Sequence, residues 1–261
     1  MTLVLSRPRH RTDLVRELVA RDVKLRYRRS VLGVAWSQLA PLSLIAIFTF
    51  VFGYVLKLHI PHYPASRYPA FLFVGFLPWL WFQGSLLGGT HSVVGGRDLI
   101  GQPGFRVALL PVVSIATNLI NYALALPVMF VGIVVYTHRV PVTALALPVI
   151  IAVQFVITLG PVYFLSAFNV TFRDVGHIVE ILILPLFYAT PVFYSEPTTR
   201  FHLVYVLNPL AHLIKAYRSA LLDGHWPDFR ALSVVALVGV VLVWMGHAVF
   251  MRMSRHFPEE L

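Results

Sequence analysis

The residue types that carry most enzymatic chemistry occur in this sequence without the spacings that build an active site. Eleven histidines are scattered along the chain, and none has the His-x-x-x-His or His-Glu spacing of a zinc site. No G-x-S-x-G nucleophile elbow occurs. The chain has no cysteine, which excludes a cysteine nucleophile, a thiolate metal site and a disulfide framework. We therefore expect this chain to bind no metal or cofactor itself and to catalyse no reaction.

Three carboxylates stand out because of their surroundings. Asp98 and Asp174 each have an arginine next to them in the sequence, which favours structural pairing over catalysis. Glu180 lies in an apolar stretch three residues after His177, and an ionisable group inside a membrane span is energetically costly. Glu180 either lies near an interface, paired with His177 or Arg173, or faces a polar translocation path.

The composition identifies the elements that must position these groups. Of 261 residues, 58% are apolar and only 12% are charged, and the mean hydropathy is +0.77. A soluble domain has about 45–50% apolar and about 25% charged residues. This composition excludes a water-soluble globular protein, and it also excludes a disordered chain, which has low hydrophobicity.

Six long stretches carry almost no charge. A helix needs about 20 apolar residues to cross a hydrocarbon core of about 30 Å. The stretches are continuously apolar, whereas the strands of a membrane barrel alternate and have only about 9–11 residues. We therefore predict an all-α membrane protein with six transmembrane helices. The predicted spans are about 31–56, 70–94, 108–136, 142–168, 176–194 and 231–251.

The distribution of positive charge predicts the orientation of these spans. An even number of spans places both termini on one side, and about two thirds of the 21 Lys and Arg residues fall on that side. The positive-inside rule puts that side in the cytoplasm. Residues 1–30 are then a cytoplasmic segment, residues 31–251 the transmembrane domain and residues 252–261 a cytoplasmic tail. The net charge of +10 follows largely from this topology and from attraction to membrane lipids, so nucleic acid is not an expected partner.

The segment Thr12–Arg29 is predicted to form an amphipathic helix at the membrane surface. Its apolar residues fall within one broad face, and arginines occupy the opposite face, which is typical of interfacial helices. The apolar residues are Leu14, Val15, Leu18, Val19 and Leu25. The helix is either a plain topological anchor or a surface that guides an anionic lipid substrate or docks a cytoplasmic partner.

Five short motifs follow one another along the chain. The first comprises R-D-V-K-L-R-Y at 21–27, S-V-L-G-V-A-W at 30–36 and P-L at 41–42. The others are F-V-G-F-L-P-W-L-W-F at 73–82, N-V-T-F-R-D-V at 169–175, T-P-V-F-Y at 190–194 and L-N-P-L at 207–210. In this order and spacing they resemble the membrane subunit of ABC type-2 exporters, specifically the branch that exports bacterial polysaccharides such as O-antigen and teichoic acid. The resemblance extends from about residue 12 to residue 258.

This resemblance implies an assembly and a substrate. Such permeases are six-span subunits of the bacterial inner membrane that pair as homodimers and bind two copies of a separate cytoplasmic ATPase, which would hold ATP and Mg²⁺. The substrate is a glycan carried on undecaprenyl pyrophosphate. The residues agree on one point, because the chain has no G-x-x-x-x-G-K-[ST] phosphate loop and needs a partner to hydrolyse ATP by that route.

The resemblance also implies two cytoplasmic segments that couple the permease to the ATPase. They contain Arg97, Asp98, Leu99, Ile100, Phe105 and Arg106 after the second span, and Phe172, Arg173 and Asp174 between the fourth and fifth spans. Gly101, Pro103 and Gly104 disfavour a helix, so the coupling helix is expected to be short. The alternative for residues 172–174 is a structural turn, in which the arginine sets the topology and forms a local ion pair.

A second amphipathic helix is predicted to begin at Asn208 and Pro209, on the extracytoplasmic side. Asparagine is a favoured helix cap and proline a favoured first residue, and Gly224 is placed to end the helix. Lys215 and Arg218 are predicted to lie on its polar face. The helix is either interfacial or, as the resemblance implies, a re-entrant gate whose cations meet the pyrophosphate of the substrate.

Aromatic side chains are dense in the first and fifth spans. Sugar rings stack on aromatic faces, so a glycan channel favours such a lining, and the alternative is an aromatic belt at the membrane interface. The predicted residues of the substrate path are Trp36, Tyr54, Glu180, Phe187 and Tyr188.

Three other functions remain open at this stage. A drug or lipid exporter of the same superfamily would need a wide lateral opening rather than an aromatic channel. A membrane-embedded glycan enzyme would need paired carboxylates near one interface. A passive channel would need no ATPase.

Overall fold

Helices form over most of the continuously apolar stretches, and no strand occurs in the part of the chain that the structure describes. The structure is a computed structural model, and it describes residues 8–26, 33–57, 63–64, 67–102, 104–195 and 202–260. Its helices are α1 (Pro8–Arg26), α2 (Trp36–Phe48), α3 (Tyr68–Thr90), α4 (Ser92–Gly95), α5 (Arg97–Ile100), α6 (Leu109–Thr137), α7 (Leu147–Thr171), α8 (Asp174–Ala189), α9 (His202–Leu207), α10 (Pro209–Arg218), α11 (Phe229–Met253) and α12 (Phe257–Glu260). The predicted all-α class is confirmed.

Within the described residues, five helical segments are long and apolar enough to cross a membrane. They are Gln38–Val55, Tyr68–Thr90, Leu109–Val135, Val142–Thr171 and Phe229–Met253. The first continues α2 through a π-helical stretch, Thr49–Val55, and the fourth adds a 3₁₀ turn, Val142–Ala146, before α7. Each lies within or close to one of the predicted spans, which makes the chain a multi-pass membrane protein.

The predicted fifth span corresponds to α8, which is shorter than expected. The apolar stretch predicted a helix to residue 194, but α8 has 16 residues and ends at Ala189. The cause is Pro191, because a residue that precedes proline is pushed out of the helical region. Thr190 accordingly has φ −108° and ψ 130°. The segment Thr190–Tyr194 is a buried turn rather than the end of a helix.

Helix α3 is the centre of the bundle and α2 lies at its edge. In α3, 72% of the apolar window is buried, compared with 6% in the Gln38–Val55 segment. Helix α3 packs against α6, α7, α8 and α10, so its motif at residues 73–82 faces protein on nearly every side.

Helices α7 and α11 approach each other so closely that glycine is required at their crossing. A Cβ atom on Gly160 would lie 2.5 Å from the backbone carbon of Leu242, and one on Gly239 would lie 3.0 Å from the backbone nitrogen of Ile157. A Cβ on Gly246 would collide with the carbonyl oxygen of Gly160. Small residues of this kind let membrane helices pack backbone to backbone.

Both ends of the described chain lie at one end of the bundle, here called the terminal end. Leu18 and Val19 of α1 pack with Leu99 and with Leu110 at the start of α6. Phe257 of α12 packs in a cluster with Val93, Ala167, Val170 and Phe250, and Ile100 and Val107 touch both clusters. The terminal end therefore comprises α1, α4, α5, residues 101–108, residues 172–173 and α12. The opposite, distal end comprises residues 138–146, 190–195 and 202–228.

Candidate functional site

The predicted coupling segment after α3 is a short helix anchored by apolar side chains. Helix α5 has only four residues, as the glycines and proline that follow it predicted. Leu99 is buried and Ile100 and Phe105 are partly buried in the cluster beneath it. Arg97, Asp98 and Arg106 are exposed. The segment therefore presents charged groups outward from an apolar base; Pro103 lies outside the described residues.

The amphipathic helix predicted at residues 12–29 is α1, and its apolar face is covered by protein. Leu18 and Val19 are buried against Leu99, Leu110 and Val113, while Leu14 and Val15 are partly buried in the same cluster. The side chain of Leu25 and residues 27–32 lie outside the described part of the chain. Helix α1 is thus packed on the predicted coupling segment, and one apolar cluster supports both.

The second predicted coupling segment, residues 172–174, is an exposed turn at the same end. Phe172 is 58% exposed, and Arg173 and Asp174 are exposed beside it. The Asn169 side chain, one turn before, crosses the turn: its Oδ1 accepts a hydrogen bond from the backbone nitrogen of Gly176 at 2.9 Å. Its Nδ2 lies 3.4 Å from Nδ1 of His91, the residue that ends α3. Asn169 therefore joins the turn at residues 172–174 to the end of α3, which precedes the first predicted segment.

Glu180 lies on an exposed face of α8, next to one of the partners that the sequence indicated. Its Oε2 atom is 3.6 Å from Nδ1 of His177, and the two side chains are 57% and 79% exposed. This contact supports the interpretation of Glu180 as a paired residue near an interface.

Phe187 is the hub of an aromatic cluster that joins α2, α3 and α8. Its ring centroid lies 5.3 Å from that of Trp79 and 6.2 Å from that of Phe48. Phe193, in the turn after α8, lies 5.6 Å from Phe187 and 4.9 Å from Phe52. Phe187 is itself only 9% exposed, so its contacts within this chain are to aromatic side chains of the bundle.

The other aromatic residues predicted for the substrate path are exposed and lie apart. Trp36, at the start of α2, borders a cavity of about 240 Å³ together with Trp81 and Tyr122. Tyr54, near the end of the same segment, is 73% exposed and borders a groove of about 430 Å³. Tyr188 is exposed on α8 next to Phe187. The structure thus places these residues on α2 and α8, without joining them in one cavity of a single chain.

At the distal end, Asn208 forms the helix cap that its sequence position predicted and a second contact that it did not. Its Oδ1 accepts from the backbone nitrogen of Leu210 at 3.0 Å, and Pro209 is the first residue of α10. Its Nδ2 donates to the carbonyl of Ala189 at 3.1 Å and to Oγ1 of Thr190 at 3.0 Å. Asn208 therefore fastens the end of α8 to the start of α10.

Arg218 lies on the buried face of α10, and the prediction that it shares a polar face with Lys215 was wrong. Arg218 follows Ile214 by four residues, so the helical period places it with the apolar side chains, and it is 7% exposed. Its guanidinium donates to the carbonyls of Pro191 at 2.7 Å and Val192 at 2.5 Å, with a longer bond to that of Tyr194 at 3.4 Å. Lys215 is exposed.

The pocket around this guanidinium is formed by α3. The Cζ atom of Arg218 lies 3.5 Å from the centroid of the Phe71 ring, an aromatic contact that stabilises a cation. A Cβ atom on Gly75 would lie 2.7 Å from a guanidinium nitrogen and 2.9 Å from the carbonyl oxygen of Val192. Glycine at position 75 therefore leaves the space that Arg218 occupies.

The segment that continues α10, residues 219–223, is held at its end by a tyrosine that precedes α3. After α10 the chain continues as a π-helical stretch, Ser219–Asp223, and Gly224 ends it with φ +70°, as predicted. The hydroxyl of Tyr63 donates a short hydrogen bond to the carboxylate of Asp223. Burial, followed by this hydrogen bond, raises the pKa of Tyr63, so the phenol remains protonated and able to donate.

The chain is similar to known proteins over most of its length. A sequence profile described as ABC-2 type transporter matches residues 13–222, which include most of α1, both predicted coupling segments and α10. The chain belongs to the ABC-2 type transporter family. It is therefore a transport subunit.

Individual relatives of this ABC-2 permease cover nearly all of it. It is 36% identical over 252 residues to the O-antigen export system permease protein RfbA of Myxococcus xanthus, with 95% of each chain covered. It is 29% identical, with the same coverage, to the RfbA protein of Klebsiella pneumoniae. It is 20% identical over 239 residues to the polysialic acid transport protein KpsM of Escherichia coli, covering 90% of this chain and 92% of that one.

Several residues that organise the permease were missed by the sequence analysis. Asn169, Thr190 and Gly75 lie inside the quoted motifs, but a motif does not show which atoms its members contact. His91 and Tyr63 lie outside those motifs. Among the described residues, no group of three His, Asp or Glu side chains is arranged to hold a metal ion. The hydrogen bonds from Arg218 to residues 191, 192 and 194 are here called the Arg218 clamp. The sequence signal for this clamp is the helical period of α10, which places Arg218 on the apolar face.

Proposed function

We propose that this chain is the permease half of an ATP-driven exporter that moves a lipid-linked cell-surface glycan, O-antigen or a similar polysaccharide, across the bacterial inner membrane. The observation that carries the proposal is the similarity to O-antigen export permeases over 95% of both chains. The polysialic acid transport protein adds a second exported polysaccharide among the relatives. The substrate is then a glycan on undecaprenyl pyrophosphate.

In this proposal the working unit contains two copies of this chain and two copies of a separate ABC ATPase. ATP and Mg²⁺ bind to the ATPase, whose closure pushes on the terminal end of each permease. The exposed groups at residues 97–106 and 172–174, together with α1, receive that push. The exposed faces of α2 and α8, which carry Trp36, Tyr54, Glu180 and Tyr188, line the path of the glycan between the two permeases.

The central experiment measures ATP-dependent movement of the glycan. The permease is co-purified with its ATPase and reconstituted in vesicles whose outer leaflet carries lipid-linked glycan labelled on the sugar. We expect ATP and Mg²⁺ added outside to move the labelled sugar into the vesicle lumen, where a glycosidase added outside cannot reach it. The proposal is wrong if the complex hydrolyses ATP and transports a lipid or drug but leaves the glycan on its original side.

The orientation of the chain is a first prediction, and the absence of cysteine makes it simple to test. Single cysteines are introduced by Arg255→Cys at the terminal end and His225→Cys at the distal end, both at exposed positions. Because the positive-inside rule places the arginine-rich end in the cytoplasm, a membrane-impermeant maleimide should label position 225 in intact spheroplasts. Position 255 should react only after the membrane is permeabilised, and the reverse pattern would invert the proposed topology.

A second prediction concerns the exposed turn at residues 172–174. Asp174→Lys should reduce glycan export about tenfold or more, with the amount of folded permease unchanged, because a reversed charge disrupts a complementary surface without disturbing buried contacts. Export is measured in the vesicle assay. Arg230→Glu reverses an exposed charge at the distal end and serves as the matched control. If Asp174→Lys and the unaltered permease export glycan equally, the turn does not belong to the ATPase contact.

A further inference from the structure

One buried amide connects the beginning of α8 to the end of α3. Asn169 is 2% exposed and lies in the last turns of α7. Its Oδ1 accepts from the backbone nitrogen of Gly176 at 2.9 Å, and its Nδ2 lies 3.4 Å from Nδ1 of His91. The first backbone N–H groups of a helix have no partner within the helix. Arg173, at the cap position of α8, makes no side-chain cap, so Asn169 supplies one from the preceding helix.

Asn169 and Gly176 are buried, and the ring of the exposed His91 lies directly against them. A Cβ atom on Gly176 would collide with Cε1 of His91 and would lie 2.9 Å from its Nε2 and 3.2 Å from Oδ1 of Asn169. Glycine at position 176 therefore lets α8 begin directly against the imidazole. The contact joins two helices, α3 and α8, that are separated in sequence by α4, α5, α6 and α7.

His91 connects this contact to the predicted coupling segment. His91 ends α3, and its carbonyl accepts from the backbone nitrogen of Gly95 at 2.9 Å, which holds α4 and, directly after it, α5 with its exposed Arg97 and Asp98. Along α8, by contrast, Ile178, Ile181 and Leu182 are more than half exposed. The start of α8 is thus tied to the coupling segment, while much of its length makes few contacts within the chain.

We propose that Asn169 is a positioning residue that ties the start of α8 to the coupling segment, so that displacement of residues 91–100 by the ATPase is passed to α8. This inference rests on the proposed function, because it requires an ATPase that acts on the terminal end. Asn169 holds both partners: it caps α8 through Gly176 and binds the segment through His91. Without it, α5 and α8 move separately.

The test compares two variants that break this tie in different ways. Asn169→Ala removes both contacts, whereas His91→Ala leaves the cap on Gly176 and removes only the link to α3. The quantity measured is the number of glycans exported per ATP hydrolysed by the reconstituted complex. We expect this ratio to fall at least fivefold in both variants, with ATP hydrolysis and binding of the ATPase retained.

Ser166→Ala is the matched control, because Ser166 is a buried residue of the same helix whose hydroxyl bonds only within that helix, to the carbonyl of Tyr163 at 3.0 Å. It should keep the export ratio of the unaltered permease. If the folded His91→Ala and Asn169→Ala variants export as many glycans per ATP as the unaltered permease, the proposed role of Asn169 is wrong. Failure of the unaltered complex to export glycan would instead overturn the proposed function, so the two failures are distinguishable.

Discussion

Replacing Arg218 by methionine is expected to disorder the distal end of the permease and to abolish export. The guanidinium donates to the carbonyls of Pro191, Val192 and Tyr194. The bonds to Pro191 and Val192 are buried in the bundle, and backbone at membrane depth without helical bonds needs partners from protein. Because each buried carbonyl left without its donor costs about 1–3 kcal/mol, we expect a loss of the order of 3 kcal/mol.

Two further variants distinguish the hydrogen bonds of Arg218 from its positive charge. Arg218→Lys keeps the charge, but one ammonium group cannot reproduce the planar fork that bonds to several carbonyls and stacks on Phe71, so about half the loss should remain. Lys215→Met removes an exposed cation three residues earlier and should change stability by less than about 0.5 kcal/mol. Thermal unfolding in detergent measures all three, and equal stability of Arg218→Met and Lys215→Met would contradict the clamp.

The second large effect is expected at the crossing of α7 and α11. Gly246→Ala adds one methyl group that collides with the carbonyl oxygen of Gly160, and a backbone atom cannot move aside as a flexible side chain can. The two helices must separate, and every contact along their shared face weakens. We expect a loss of about 3 kcal/mol, at the upper end of the range for overpacking, and a marked fall in the amount of monodisperse permease.

The chain provides an internal control for this substitution. Gly132 lies inside α6, and a Cβ atom there would meet nothing within 4 Å. Gly132→Ala should therefore be neutral or stabilising by up to about 1 kcal/mol, since alanine favours a helix over glycine. Size-exclusion profiles after graded heating compare the two variants directly. If Gly246→Ala unfolds at the same temperature as Gly132→Ala, the close crossing of α7 and α11 is not as described.

Most of the helical architecture could be predicted because membrane crossing is a property of local composition. Runs of apolar residues located α2, α3, α6, α7 and α11, and the glycines after Ile100 predicted a short α5. The end of α8 was missed because hydropathy continues past Pro191 while the backbone does not. A helix boundary set by one proline is visible in the sequence, but it carries little weight in an average over 20 residues.

The candidate site was less predictable, since its important contacts join distant parts of the chain. Asn208 could be recognised as a helix cap because a cap acts within three residues. The prediction that Arg218 lies on the polar face of α10 is wrong, because its partners are carbonyls 24–27 residues away in the sequence, which no local pattern reveals. The residues Asn169, His91 and Gly176 have no common pattern, and only the packing of three helices brings them together.

The shortness of α8 has a consequence for the surrounding lipid. Its 16 residues rise about 24 Å, against a hydrocarbon core of about 30 Å. Where lipid contacts the exposed aliphatic side chains of α8, the general response of a bilayer to so short a hydrophobic length is local thinning. On the proposed path beside α8, a sugar chain would then cross a shorter hydrocarbon layer, which would reduce the distance over which it must be kept away from lipid tails.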